Sequence, residues 1–372
     1  MASVNELLRD AAISHAVDLA HYSNGVVRRI IGLLNRADAD LFAQLTEALD
    51  RLPAESFTVD RLERLLKSVR ELNAEAYRQV ERELTKELRD FAAYEAGYQL
   101  KLFEATIPAQ AQVAVGVAAV NPTQVYTAAM ARPFQGRLLK EWASSIEAGR
   151  MTRIRDAIRI GYVEGQTADQ IIRRLRGTRA KGYADGIIEI DRRHAASVVQ
   201  TALGHMANFA RERVYDENKG LIKAIEWVAT IDTKTSDQCR IRDKKRYTPE
   251  DHKPIGHSIL WGAGPGQLHW NCRSTSVPIT KSWRELGIDI DEIEPSTRAS
   301  MDGQVPAETT YADWLQRQSA ARQDQVLGPT RGKLMREGGL TMDRFYNEKG
   351  KFLSLDELRQ RDAAAFERAG LD

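Results

Sequence analysis

Both cysteines of the chain and three of its seven histidines fall within one segment, residues 227–278. Cysteine thiolates and neutral imidazoles bind zinc, and they also serve as nucleophiles and bases in catalysis. We therefore expect any chemistry of this protein to lie in this segment. The candidate side chains are Cys239, His252, His257, His269 and Cys272.

A zinc site is the first interpretation of these residues. Cys239, His269 and Cys272 are suitable ligand types, and the His-x-x-Cys spacing lets two of them reach one ion from a tight turn. Structural zinc sites usually contain two close pairs of ligands, whereas Cys239 has no such neighbour. The alternative is a packed thiol and imidazole without metal, so we predict no cofactor and keep zinc open. A fourth ligand would come from His257, His252 or Asp232.

Two enzymatic interpretations compete with zinc. An Asp-His pair at 251–252, followed by His-x-x-Cys, resembles the motif of HNH nucleases, with His252, His257 and His269 as the catalytic or metal-binding candidates. That mechanism needs a helix after the motif, but residues 274–279 favour an extended strand. A cysteine nucleophile would need a histidine oriented by a third group, and the sequence indicates none. We predict that the protein is not an enzyme, with a metal-dependent nuclease or hydrolase as the alternative.

A basic segment follows a short predicted helix that begins at a capping box, Thr167 to Gln170. Its cations could contact DNA phosphates, or they could form the solvated end of a helix, where they offset the helix dipole. We favour the structural interpretation and keep DNA contact as the alternative. The cations are Arg173, Arg174, Arg176, Arg179 and Lys181.

The composition limits the class of protein. The 54 basic and 52 acidic residues give a net charge of +2, so nucleic acid could be bound only through a local patch. Two cysteines support no disulfide framework, which favours a reducing compartment. The first residues lack the pattern of a secretory signal, and no apolar run is long enough to span a membrane. We expect synthesis in the cytoplasm.

The elements that must position the candidate residues change in type near Gly220. Before it, apolar residues recur at helical spacing, as in the stripe from Leu62 to Tyr98 after Pro53, and we expect a break between two helices at 23–25. After it, residues 224–231 alternate like a strand, and a polar linker begins beyond Pro295. We predict a mainly α, α+β protein with long amphipathic helices, a small mixed module and an extended or helical C-terminal arm. The predicted regions are 1–132, 133–219, 220–280 and 281–372.

Residues from about 130 to 345, and above all the module from 220 to 280, resemble the Mu F-like minor head proteins of tailed phages. In that family, a tryptophan-containing strand precedes an Asp-x-x-Thr turn with a following cysteine, and a His-x-x-Cys-Arg-Cys sequence closes the module. This chain departs at Ser274, which stands in place of the last cysteine, and at Gln200, which stands in place of an arginine. The residues that carry the resemblance are Trp227, Asp232, Thr235, Cys239, His269, Asn271, Cys272 and Arg273.

The resemblance implies a structural minor capsid or head-morphogenesis protein, present in the virion and associated with the portal inside the head. It would act in head assembly, and in packaging or ejection of DNA. The implied partner is the portal protein, around which the chain would be oligomeric. Major capsid or scaffolding protein and packaged DNA are further implied partners, and no membrane is.

Overall fold

The computed structural model describes residues 3–51, 58–288, 297–300, 303–306 and 309–371. Helices make up most of these residues, and the strands are short, which confirms the predicted mainly α, α+β class. No helix within these ranges is long and apolar enough to cross a membrane. Pro53 and Pro295, which framed two of the predicted boundaries, lie outside the described residues.

The helices in the described ranges are α1 (Val4–Asp50), α2 (Val59–Thr106), α3 (Ala109–Val115), α4 (Pro122–Met130), α5 (Leu139–Val163), α6 (Ala168–Arg176), α7 (Glu189–Glu217), α8 (Asp237–Arg240), α9 (Tyr311–Gln316), α10 (Ala320–Leu327), α11 (Pro329–Arg336), α12 (Leu355–Arg361) and α13 (Ala363–Arg368). The strands are β1 (Ile222–Val228), β2 (Arg246–Tyr247), β3 (Pro254–Ile255), β4 (Thr275–Thr280), β5 (Thr297–Ser300) and β6 (Gly303–Pro306).

The chain divides into two compact units. Unit 1 comprises Met1–Ala20, Ala92–Val125 and Ala207–Asp372, and it contains the module. Unit 2 comprises His21–Phe91 and Tyr126–Met206, and it contains the basic segment. The four regions expected from the sequence stay a prediction.

Unit 2 is helical, and its core joins one face each of α1, α2, α5 and α6. The apolar residues on these faces recur every three or four positions, which places them along one stripe of each helix. The predicted capping box starts α6, because the Thr167 hydroxyl accepts from the Gln170 N–H and the Gln170 side chain accepts from the Thr167 N–H. The core includes Leu41, Leu45, Leu62, Leu66, Ile154, Ile158, Ile171 and Leu175.

The predicted break at 23–25 is wrong, because α1 is continuous through Ser23, Asn24 and Gly25. Val26 and Ile30, on the following turns, are fully buried. Burying such a side chain stabilises by about 1.5–3 kcal/mol, whereas a glycine inside a helix costs about 1 kcal/mol relative to alanine. Burial on this face therefore outweighs the local turn preference.

Unit 1 contains a four-stranded antiparallel sheet with the strand order β3-β2-β1-β4. The central strand β1 is the predicted strand, and Trp227 on it lies opposite Ser276 on β4. The segment after Cys272 is extended, as predicted. β1 also contributes to an apolar core of unit 1, which includes Phe103, Val214, Tyr215, Ile225, Trp227, Tyr247, Trp261 and Trp283.

From Tyr311 onward the C-terminal segment is mainly helical, one of the two forms predicted for it, and α9 to α13 pack against the module. Tyr311 at the start of α9 makes two of the connecting hydrogen bonds. Its N–H donates to Asp243 Oδ2 at 2.9 Å, and its hydroxyl donates to the Asp232 carbonyl at 2.8 Å. The shared core includes Ile231, Ile241 and Ile259 of the module with Trp314, Leu315, Leu327, Leu334, Phe345 and Phe366.

Candidate functional site

Cys239, His269 and Cys272 come together inside the module. Cys239 lies on α8, a single helical turn whose N-cap is Ser236, and the Ser236 hydroxyl accepts a hydrogen bond from the Cys239 N–H at 3.3 Å. His269 and Cys272 flank a tight turn in which Asn271 has a φ of 56°. The turn leads directly into β4, and the pairing of β4 with β1 therefore holds it in place.

The three potential ligand atoms form a compact group. Cys239 Sγ lies 3.6 Å from Cys272 Sγ and 3.3 Å from His269 Nε2, and all three atoms lie within 4.8 Å of one another. Both cysteines are buried and His269 is partly buried. In the part of the chain that the structure describes, this is the one group of three or more such side chains with metal-binding spacing.

The ring of His269 is fixed by its neighbours. Its Nδ1 lies 2.9 Å from the Trp270 carbonyl, which only accepts hydrogen bonds, so this partner assigns a proton to Nδ1. The other nitrogen, Nε2, faces Cys239 Sγ and lies 2.7 Å from the Ser236 hydroxyl. In a neutral imidazole Nε2 is then the lone-pair nitrogen, and it points at the thiols.

The contact between the two thiols shifts their pKa values in opposite directions. The hydrogen bond from Cys239, aided by His269 and opposed by burial, holds the pKa of Cys272 well below its usual range. The same hydrogen bond, together with burial, raises the pKa of Cys239 well above its usual range. Burial acts to lower the pKa of His269, but the Cys272 contact, the Trp270 carbonyl and the charge of Asp237 together raise it overall. Because both sulfur atoms are enclosed, the arrangement favours packing or metal binding over attack on a substrate.

A salt bridge closes the loop around this group. The Arg273 guanidinium donates two hydrogen bonds to Asp232, at 2.6 and 2.9 Å. Asp232 Oδ1 also accepts from the Lys234 N–H at 2.9 Å and lies 3.0 Å from the Thr235 hydroxyl. Burial acts to raise the pKa of Asp232, but the hydrogen bonds and charge of Arg273 lower it overall. The loop before α8 is thereby tied to the turn that holds Cys272.

Trp227 serves the core of the module. It is fully buried and meets the Trp261 ring edge-on, with ring centroids 5.1 Å apart. The Arg242 guanidinium lies over it at 5.6 Å. Of the eight motif residues predicted, Trp227 therefore supports the fold from within, whereas Cys239, His269 and Cys272 form the compact group.

The structure does not bring His252 and His257 to His269. His252 stacks on Trp261, with centroids 4.5 Å apart, and His257 Nε2 pairs with the Arg246 carbonyl at 2.9 Å. Neither belongs to the group around Cys239. The three histidines named for the nuclease alternative are therefore not assembled in the described residues.

The basic segment leads from the end of α6 into a compact loop. Arg174 pairs with Glu164 at 2.9 Å, and Arg176 lies over the Tyr183 ring at 4.9 Å. The loop closes where its two ends touch, since a Cβ on Gly186 would lie 2.4 Å from the Arg176 carbonyl oxygen. The exposed cations of the segment are Arg173, Arg176, Arg179 and Lys181.

Two serines belong to the site, and sequence reasoning assigned neither a part in it. Ser236 caps α8 and contacts His269, and the Ser-x-x-Cys spacing of an N-cap was the signal that could have revealed it. Ser274 donates its hydroxyl to the Cys239 thiol and its N–H to Cys272 Sγ. The sequence marked Ser274 only as a departure from a pattern, because its contact with Cys239 spans two distant segments.

The fold and site define a class: a mainly helical protein with a small antiparallel module built around a buried thiol and imidazole group. Residues 152–277 match the family described as Phage Mu protein F like protein. The resemblance seen in the sequence is thereby confirmed, and residues 152–277 are similar to the Mu F-like phage proteins. No curated protein and no solved structure matches the chain.

Proposed function

We propose that this protein is a minor structural component of a tailed-phage head, associated with the portal, that acts in head assembly. The observation that carries the proposal is the family match over residues 152–277. The matched residues include α6, α7 and the sheet up to β4, so the likeness covers a helical part as well as the module.

The construction of the module supports a structural role. The Asp232–Arg273 bridge and the enclosed thiols hold its loops together, and α9 to α13 cover it through a continuous apolar core. Both sulfur atoms are buried, so a substrate in solution does not meet them directly. These features suit a part that must keep its shape within an assembly.

The location and partners follow from the same proposal. The chain would be made in the host cytoplasm, enter the virion, and surround the portal as an oligomer, with major capsid or scaffolding protein as further neighbours. Exposed apolar side chains support docking to such partners, and Val163 at the end of α5 is 87% exposed while Val113 on α3 is 88% exposed.

Packaged DNA is the remaining partner in the proposal, with roles in packaging and ejection. The support for DNA as a partner is the basic segment at the end of α6 and in the loop after it. Several of its cations are exposed, and the two ends of the loop lie in contact at Arg176 and Gly186. Arg173, Arg179 and Lys181 have no acidic group within salt-bridge distance in the part of unit 2 that the structure describes. Such cations can neutralise phosphates and release counterions.

The nuclease alternative gains no support from the geometry. His252 and His257 are engaged elsewhere in the module, and the thiol group offers sulfur rather than the oxygen ligands that magnesium prefers. Incubation of plasmid DNA with the pure protein and magnesium or zinc tests this directly. Cleavage that His252→Ala abolishes would favour the nuclease over the structural role.

Co-purification with the portal protein of the same phage tests the proposal. The two proteins are co-expressed with a tag on the portal only, and the captured complex is weighed by native mass spectrometry. We expect a complex with several copies of this chain per portal ring. Val163→Asp and Val113→Asp test the two exposed apolar positions, and Val59→Asp, on the exposed start of α2, is the matched control. A chain that never binds the portal would contradict the proposal.

A further inference from the structure

We propose that Cys239, His269 and Cys272 bind one zinc ion that joins α8 to the turn before β4. The site lies wholly within unit 1, and the inference concerns how the module is held together. It is independent of the proposed role in the phage head, so either can fail without the other.

Two of the three separations between the ligand atoms are close to those of a tetrahedral zinc site, and the third is below 4.8 Å. Zinc lies about 2.3 Å from a thiolate sulfur and about 2.0 Å from an imidazole nitrogen, which places two sulfurs about 3.8 Å apart and a sulfur and a nitrogen about 3.5 Å apart. The corresponding separations here are 3.6 Å between the sulfurs and 3.3 Å between Cys239 Sγ and His269 Nε2. A disulfide would require the sulfurs to lie about 2.0 Å apart.

The hydrogen bonds around the ligands are those of a metal site. A zinc-bound histidine usually donates its other ring N–H to a carbonyl or carboxylate, which orients the ring and fixes the tautomer. His269 does this through Nδ1 and the Trp270 carbonyl at 2.9 Å. The Ser274 N–H donates to Cys272 Sγ, and such a donor stabilises a sulfur that carries negative charge.

The net charge of the site also favours zinc binding. Two thiolates would be costly in a site this enclosed, whereas two thiolates and Zn²⁺ together are neutral. Three protein ligands leave a fourth position, and the hydroxyls of Ser236 and Ser274 flank the group. We assign that position to an oxygen ligand, either a serine hydroxyl or water. Ser274 is also where a fourth strong ligand can be introduced.

The test measures zinc in the full-length protein. The chain is purified without chelator from cells grown with zinc, and metal is counted by inductively coupled plasma mass spectrometry. We expect about one zinc per chain, and about one cobalt after exchange, with the sulfur-to-cobalt charge-transfer band in the near ultraviolet. A chelator should lower the melting temperature, and one equivalent of zinc should restore it.

Variants locate the ion. Cys272→Ser and His269→Gln should lose most of the bound zinc, whereas His257→Gln should keep it. His257 is the matched control because it is also a partly buried module histidine paired with a carbonyl. Ser274→Cys should tighten zinc binding by tenfold or more, because a thiolate replaces an oxygen ligand, with about 1.4 kcal/mol for each factor of ten.

The outcomes are separable even if some variants fold poorly. The wild-type measurement needs no variant, and Ser274→Cys adds a ligand rather than removing one. Wild-type protein with less than a tenth of an equivalent of zinc after incubation with zinc, and with an unchanged melting temperature, would overturn the inference. So would zinc that His257→Gln and His269→Gln lose equally.

Discussion

The ion pair between Arg9 on α1 and Glu226 on β1 gives the first prediction. Arg9 donates two hydrogen bonds to Glu226 Oε1, from Nε at 3.1 Å and from Nη2 at 2.8 Å. The two side chains are only 6% and 1% exposed. Water cannot replace a lost partner at this depth, so the carboxylate depends on its arginine.

Arg9→Met removes the charge and keeps much of the side-chain volume. Loss of one member of a buried ion pair costs about 3–5 kcal/mol. Glu226 keeps a second contact, because Arg246 Nε lies 3.3 Å from its Oε2, although Arg246 is 52% exposed. We therefore expect Arg9→Met to lower the free energy of unfolding by about 3 kcal/mol, the lower end of that range. The double variant Arg9→Met with Glu226→Leu should recover most of this loss, because no unpaired charge stays buried.

Urea unfolding followed by tryptophan fluorescence measures the effect. Five of the six tryptophans lie in unit 1, so the signal reports on the unit that contains the ion pair. The control is Lys223→Met on the same strand, since Lys223 and Glu285 are 59% and 42% exposed. An exposed pair contributes about 0–1 kcal/mol. If Arg9→Met destabilises unit 1 no more than Lys223→Met, the account of the buried pair is refuted.

Three further predictions concern the module, the C-terminal helices and the basic segment. The lowered pKa of Asp232 contributes stability above its unfolded value of about 3.9, and that stability is lost as the pH falls through the folded pKa. Arg273→Gln should therefore destabilise unit 1 at pH 7, and by progressively less as the pH falls through the folded pKa of Asp232, and an effect that does not change with pH would contradict this. Trp314→Ala, at a side chain only 2% exposed, should cost about 3–5 kcal/mol in urea unfolding, and an unchanged midpoint would argue against the shared core. Alanine at Arg173, Arg179 and Lys181 together should weaken DNA binding and reduce the slope of log affinity against log salt by about 2–3. The charge-matched control places alanine at three arginines that pair with glutamates on α2, namely Arg70, Arg78 and Arg82. We expect this control to bind DNA as tightly as the wild type.

The sequence predicted those helices and strands whose formation depends on interactions between residues close together in the chain. The predicted capping box at Thr167 starts α6, because it satisfies backbone N–H groups that the helix itself leaves free. The alternation at 224–231 produced β1, and the β-branched residues after Cys272 produced β4. The break expected at 23–25 failed because burial along α1 outweighs a local turn preference.

Other features depend on contacts between distant segments, and the sequence alone could not reveal them. Glu226 lies in an alternating strand, where a charged residue would be expected to face solvent, yet it is buried because Arg9 reaches it from α1. Arg9 and Glu226 are separated by 217 positions, so no local pattern connects them. The same holds for Asp232 and Arg273, which the motif named but could not pair.

Within the candidate site, residue type and spacing identified the three clustered side chains but not the groups that lie next to them. The His-x-x-Cys spacing places His269 and Cys272 on one turn, and the structure adds Cys239 from α8. None of the fourth ligands considered, His252, His257 or Asp232, belongs to the group. Hydroxyls from Ser236 and Ser274 stand nearest instead, and serine is too common in turns to signal such a role.

The central claim is that this protein is a component of the phage head, and the composition of purified particles tests it most directly. Quantitative mass spectrometry is applied to intact particles, and to particles after DNA release, with the portal protein as the internal standard. We expect peptides of this chain in the particles, in a fixed ratio to the portal protein and in far fewer copies than the major capsid protein. Particles that carry the portal protein but no peptide of this chain would contradict it.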